Sequence, residues 1–421
     1  MRGTLRGALC MAAPVVVVAC GAAVPPPPGK GGPAWTELTS EHFTVWTDGD
    51  RAEVRELVQQ MEHLQQVVFG VTFPAMSAGR TPVFALRDDD ELAAFSSTEQ
   101  PRAYALLASI PLWQPAIVLS ARSQIQDSER TAAHELTHVV SFAAVHYQPR
   151  WLAEGMADFF QTLQLDVDRG TADVGVPPTI RGQPMRTRMA DLLPVEQLFA
   201  WREMTAHEER EYSTAWLLFT YLVNAHRDEL AHYLLLLDET SKSRTAATAD
   251  GAAELWHEAF PSLPLAEVDA ELRQWLRSGR HAVIHLNVQL RAWPVTERPL
   301  GDADVYAARA MLCALVARRP AEARTDVAAA LALEPGNVLA RLTAAALDHA
   351  PITVEQARAM TAAHREDWRA WWTAAVALSH EGRDANEIAN ARNAACALFA
   401  QNPALVAPSD LCVRQPARGA R

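Results

Sequence analysis

His134-Glu135-Leu136-Thr137-His138 decides the reading of this chain. The five residues follow H-E-x-x-H and sit in a stretch with helical periodicity, because Ala133, Leu136, Val140 and Ala144 recur at the spacing of a half-buried helix. Asp127-Ser128-Glu129 supplies an N-terminal cap with acid in the first turn. On such a helix two imidazoles four residues apart lie one above the other on one face. Both can then bind one metal ion, and the Glu after the first His can act on a water held by that ion. Zinc is the expected metal: it suits imidazole and carboxylate ligands, and it lowers the pKa of its water to about 7. The pattern points to metal-assisted hydrolysis, most often of a peptide bond. The bland alternative is a surface helix that carries two histidines by accident. With 14 histidines in 421 residues, accident supplies roughly 0.03 such matches.

A catalytic zinc takes three protein ligands and keeps one position open. The next segment, Pro149-Arg150-Trp151-Leu152-Ala153-Glu154-Gly155-Met156-Ala157-Asp158-Phe159-Phe160, offers the third. Pro149 breaks the first helix, and a second is predicted over Trp151–Leu165. The 15 residues between His138 and Glu154 are enough to finish one helix, turn and return alongside it. Glu154 and Asp158 are four apart and share a face. Glu154 can ligate the metal. Asp158 can reach the free nitrogen of a ligand His, which fixes the ring's tautomer and strengthens it as a ligand. The other reading of both acids is a solvated helix face.

At 134–138 and at Trp151-Leu152-Ala153-Glu154-Gly155-Met156-Ala157-Asp158-Phe159 the chain resembles the gluzincin metallopeptidases, the thermolysin-like group of the peptidase MA clan. It looks most like the peptidase MA-like domains of bacterial envelope proteins. The strong match covers about residues 128–160, with weaker similarity over about 35–290. The resemblance implies His134, His138 and Glu154 as zinc ligands. It implies Glu135 as general base and then proton donor to the leaving amine, and Asp158 as the carboxylate behind a ligand His. The second His and the ligand Glu are somewhat closer in sequence than in thermolysin. Such enzymes also need a donor for the tetrahedral oxyanion. Tyr212 is the candidate, since the segment Tyr212–Leu222 resembles a helix of peptidase MA-like domains; His207 is the alternative. Tyr212 as a plain core residue is the competing reading.

The N-terminus reads as a targeting segment. Arg2 and Arg6 precede an apolar stretch, Ala8 to Ala19, too short to span a bilayer. Val17-Val18-Ala19-Cys20 looks like a bacterial lipobox, which makes 1–19 a signal peptide and Cys20 the lipidated residue. Gly21 fits outer-membrane sorting. The expected location is the bacterial envelope, lipid-anchored and facing the periplasm, or the periplasm itself if Cys20 is not lipidated. Residues 20–34, with Pro25-Pro26-Pro27-Pro28, read as a stiff spacer holding the folded part off the membrane. A net charge of −12 argues against nucleic acid and against an anionic membrane surface as partners. Beyond Cys10 and Cys20 the chain has Cys313, Cys396 and Cys412; a Cys396–Cys412 bridge can form in an oxidising compartment. No Cys lies near the motif, so a thiolate zinc site is excluded.

The fold class expected is α+β. Strands are predicted at 42–47, Thr81–Leu86 and Ala116–Ser120, with a helix over Arg51–Phe69. Asp88-Asp89-Asp90-Glu91 reads as a helix cap rather than a cation loop. By resemblance, Ala116–Ser120 forms the sheet edge along the cleft, where a peptide can add as a strand. Residues 166–190 read as loop-rich. Helices follow at about 194–203, 209–225, 228–240, 251–259 and 264–277, then a strand or extended connector at 281–293 and a linker over Pro294–Gly301. The catalytic domain is thus set at 35–293 and a helical one at 302–410. Ala321–Asn337 resembles the second helix and exit of a tetratricopeptide repeat, with a degenerate copy over Trp368–Pro403. This region offers either a docking surface for a protein partner or a cap without a ligand. Two functions are carried forward. The first is an envelope-anchored zinc metallopeptidase acting on peptide or protein substrates. The second is a catalytically silent scaffold lipoprotein that recruits a partner through its helices.

Overall fold

The computed structural model describes residues 24–72, 79–97, 103–107, 114–122, 128–145, 148–177, 179–180, 183–184, 192–202, 208–241, 249–288, 291–404 and 411–412. Residues 1–19, expected to be a signal peptide, and Cys20, Asp127 and His207 lie outside them. The chain is α+β. A 3-10 turn at Pro28–Lys30 precedes β1 (Thr36–Thr39), β2 (Phe43–Thr47), α1 (Arg51–Thr72), β3 (Thr81–Leu86), α2 (Asp89–Ala94), β4 (Tyr104–Leu106) and β5 (Ala116–Ser120). The next elements are α3 (Ser128–Ala144), α4 (Arg150–Gln161), β6 (Gln164–Asp166), β7 (Thr171–Val174), β8 (Thr179–Ile180) and β9 (Gln183–Pro184). Then come α5 (Val195–Phe199), α6 (Glu208–Ala225), α7 (Arg227–Ser241), α8 (Ala249–Ala259), α9 (Leu265–Ser278), β10 (Ile284–Asn287) and β11 (Thr296–Pro299). The last six helices are α10 (Asp302–Leu315), α11 (Pro320–Leu333), α12 (Val338–Asp348), α13 (Val354–Ala363), α14 (Trp368–His380) and α15 (Ala385–Gln401).

Six strands form one sheet in the order β11-β1-β2-β3-β5-β4, with β2, β3 and β5 parallel and the outer pairs antiparallel. Alternation along the strands builds two cores. Phe43, Val45, Val83, Ala85, Ile117 and Leu119 point to one face, where they pack with α1, α3, α4 and α6–α9. Phe84, Leu86, Ala116 and Val118 point to the other, where they pack with Val305, Met311 and Leu312 of α10 and Leu339 of α12. The parallel strands are therefore apolar on both sides, as a doubly covered sheet requires. The central strands and α1 match their expected positions. Asp88 caps α2 by accepting from the Glu91 amide, as its sequence implies.

Four expectations change. Ala116–Ser120 is not the sheet edge: β4 pairs outside it, and Tyr104-Ala105-Leu106 is too short to stand out in the sequence. Pro294–Gly301 is not a linker. Its residues 296–299 pair with β1, held by Arg298, which grips Glu37 through two bonds of 2.7 Å. The strand sits at an edge, where proline is tolerated. The second helix ends at Gln161, and Leu165 belongs to β6, the partner of β7. The proline-rich segment from Val24 onward packs on α10 instead of standing free. Cys396 and Cys412 are bonded, and Cys313 is a buried thiol pushed up to about 12 by burial. No helix among the described residues is long and apolar enough to cross a membrane.

Candidate metal centre

α3 lies on the sheet with Ala132, Ala133, Leu136, Val139 and Val140 buried, which turns His134 and His138 the other way. Thr137 donates to the Ala133 carbonyl at 2.7 Å and Ser141 to the His138 carbonyl at 3.2 Å, so the buried hydroxyls are satisfied inside the helix. α3 ends at Ala144, before the proline expected to break it, and Pro149 is instead the N-cap of α4. Trp151 and Leu152 are fully buried and anchor its first turn. Trp151 stacks on Phe199 at 5.2 Å and meets Tyr233 and Trp256 at 6.2 Å each. Truncating a Trp so packed costs about 3–5 kcal/mol, and it would free the helix that carries Glu154. Gly155 permits the crossing behind the site: a Cβ there would stand 2.5 Å from the Ala215 carbonyl of α6.

These helices bring His134, His138 and Glu154 together as one potential ligand group. The Nε2 atoms of the two histidines are 3.1 Å apart, and Glu154 Oε2 lies 3.5 Å from the first and 3.3 Å from the second. Ligands at about 2.0–2.1 Å around a tetrahedral zinc stand about 3.3–3.4 Å from one another. The three atoms thus have the spacing of one face of such a tetrahedron. Glu154 Oε2 is buried and has no hydrogen-bond partner, which is costly unless a cation meets it. The donor set and the orphaned oxygen both fit a zinc ion. Asp158 Oδ1 lies 3.1 Å from His134 Nδ1, the place for a carboxylate that orients a ligand ring.

Burial sets the charge states. It pushes the Glu135 carboxyl up against the pull of both histidines, and it pushes Asp158 up against His134. Burial also opposes charge on Glu154 and His134, yet the attraction between them wins: Glu154, facing both histidines, falls well below the usual range, and His134, beside Asp158 and Glu154, rises well above it. Glu135 accepts from the Ala105 amide, so its carboxylate stands against edge strand β4.

Tyr212, on α6, also comes to this group. Burial and the Glu154 charge raise its phenol far above the ordinary value, against the pull of the neighbouring Arg150. Its ring meets Trp201 edge-on at 5.3 Å. Arg150 is the residue that sequence reading missed. Its guanidinium lies over Trp201 at 4.7 Å, donates to the Arg202 carbonyl at 3.3 Å and reaches Glu154 Oε1 at 3.6 Å. The only prior signal was its place four residues before Glu154, the spacing of helix neighbours.

Residues 128–244 match the model of a protein family described as being of unknown function (DUF1570). The match runs from the first residue of α3 past α7 and includes the three potential ligands, Asp158 and Tyr212. No curated protein and no solved structure matches the chain.

Proposed function

We propose that this chain is a zinc metallopeptidase of gluzincin type, exported and anchored to the envelope through Cys20, with His134, His138 and Glu154 as the ligands. The observation that carries the reading is the triangle of ligand atoms with Glu135 beside it and a buried carboxylate oxygen left without a donor. Bound there, zinc would supply Lewis acidity and lower the pKa of a coordinated water to about 7.

The chain's own groups divide the rest of the work. Glu135 takes a proton from the attacking water and returns it to the leaving amine, a role suited to a carboxyl raised by burial. Among the described residues no strand pairs with the outer side of β4, where an extended peptide could add and run past Glu135. Tyr212, its phenol raised by burial and the Glu154 charge, can donate its proton to a developing oxyanion, with Arg150 beside it. Asp158 holds the His134 ring from behind.

One observation favours the scaffold reading. A cleft of about 660 Å³ lies between the strands β1–β3 and the ends of the tetratricopeptide-like helices, bordered by Trp46, Asp304, Asn337 and Arg369. It would take a partner whether or not the metal group turns over. The deciding experiment is metal content and peptide cleavage of the mature chain. One zinc per chain, lost in His138→Ala, with cleavage abolished in Glu135→Gln, supports the peptidase. A folded protein that takes no zinc when offered it overturns that reading.

A further inference from the structure

The arm from Val24 to Trp35 has fixed contacts. Arg309 of α10 is buried, pairs with Asp326 of α11 at 3.2 Å, and donates through Nη1 to the Pro25 carbonyl. Pro27 is buried, and Val24 packs on the core that α10 shares with the sheet. The turn is closed by Lys30 N–H to the Pro27 carbonyl at 2.8 Å and by Gly32 N–H to the same oxygen at 3.0 Å. A buried guanidinium that spends a donor on one carbonyl makes that contact costly to lose.

The arm and the metal ligands lie on opposite faces of the sheet. The arm sits with α10, whose core includes Phe84, Leu86 and Val118. The ligands sit on α3 and α4, whose core includes Val83, Ala85, Ile117 and Leu119. Neighbouring residues on the same strands thus face the two sides.

We propose that the protein rests on a lipid bilayer by its α10–α11 side, with the metal ligands on the side of the sheet turned away from the membrane. This rests on lipidation of Cys20 and not on any hydrolytic activity. Four Cα-to-Cα steps from Cys20 to Val24 reach at most about 14 Å. A sheet with a helical layer on each face is about 30 Å thick. The tether is shorter than the body is thick, so the face that holds the arm is the face held near the lipid. A polypeptide would reach the metal ligands from the aqueous side.

The test uses the full chain, processed in a bacterial host and placed in phosphatidylcholine vesicles doped with a headgroup quencher. Glu322 on α11 and Glu56 on α1 are both exposed, and each is replaced by Cys in turn and given a fluorophore. Cys313 is buried and Cys396 is bonded to Cys412, so among the described residues the new thiol is the one that labels. The expected result is loss of most fluorescence at Glu322→Cys and little at Glu56→Cys. A Gly/Ser insert of about 20 residues before Val24, with a mean span of about 25 Å, should erase most of that difference. Equal quenching in the unlengthened chain, stronger quenching at Glu56→Cys, or a difference that survives the insert overturns the proposal. Recovery of a mature chain without lipid also overturns it, and leaves the zinc reading to be decided by metal content alone.

Discussion

Arg369 and Asp367 of α14 and the His134–His138–Glu154 group of α3 and α4 are both sheltered clusters of opposite charge, and they close differently. Arg369 gives Nε to both oxygens of Asp367, at 3.0 and 3.1 Å, and Nη2 to Oδ2 at 2.6 Å. The same Asp caps the helix by accepting from the Arg369 amide at 2.9 Å. Burial opposes its charge, but the guanidinium wins and holds the carboxyl below the usual range. Nε and Nη2 of the guanidinium both meet the carboxylate. In the metal group two ring nitrogens face each other at 3.1 Å, and a carboxylate oxygen faces both with no bond to either. A self-satisfied pair secures a fold. Three potential ligand atoms turned toward one point are the arrangement that a bound cation would satisfy.

Four substitutions would break or sharpen that contrast. Glu135→Gln should lower peptide hydrolysis by about 10³-fold, within the range for lost general acid–base catalysis, while zinc content stays at the wild-type level. Retained activity would remove Glu135 from the chemistry. Asp367→Asn keeps the helix cap but breaks the ion pair. Denaturant titration should show a loss of about 2–3 kcal/mol, less than for a fully buried pair because the side chains are 18% and 20% exposed. Zinc affinity should not move, and if it does the two clusters are not independent. Asp158→Asn should weaken zinc binding about 10–100-fold in a chelator competition, with little change in unfolding of the metal-free protein. Unchanged affinity would reduce Asp158 to an ordinary buried acid. Gly155→Ala forces α4 and α6 apart at the Ala215 carbonyl, for a stability loss of about 1–2 kcal/mol. Because Tyr212 rides on α6 and Glu154 on α4, kcat should fall more than KM while zinc is kept. Equal loss in both would mean that Tyr212 does not act in the transition state.

The sequence made some of this plain and hid the rest for physical reasons. β3 and β5 are readable to the residue because both faces are apolar and turn signals bound them. The convergence of His134, His138, Glu154 and Asp158 was suggested by two i, i+4 pairs on helices joined by a short return, and a solvated acidic face was the other reading of the two carboxylates. β1 and β11 were invisible as a pair because Thr-Glu-Leu-Thr and Thr-Glu-Arg-Pro carry few apolar residues. Their pairing depends on a partner more than 250 residues away in the chain, such as Arg298 for Glu37. Arg150 had no motif to mark it, and only the return of Trp201 and Tyr212 gives its charge a setting. The proline run misled because its stiffness suits a spacer and a docked strap equally, and the choice is made by Arg309.

The helices after Asp302 supply one wall of the sheet: among the described residues they cover Phe84, Leu86 and Val118 together with α2, Phe95 and the arm at Val24 and Trp35. A chain cut before α10 would open that core to water and leave a sheet with one oily face. The two halves should therefore melt as one body, with a single calorimetric peak whose calorimetric and van't Hoff enthalpies agree. The chain can be divided on paper at residue 301, but heat should find no seam there.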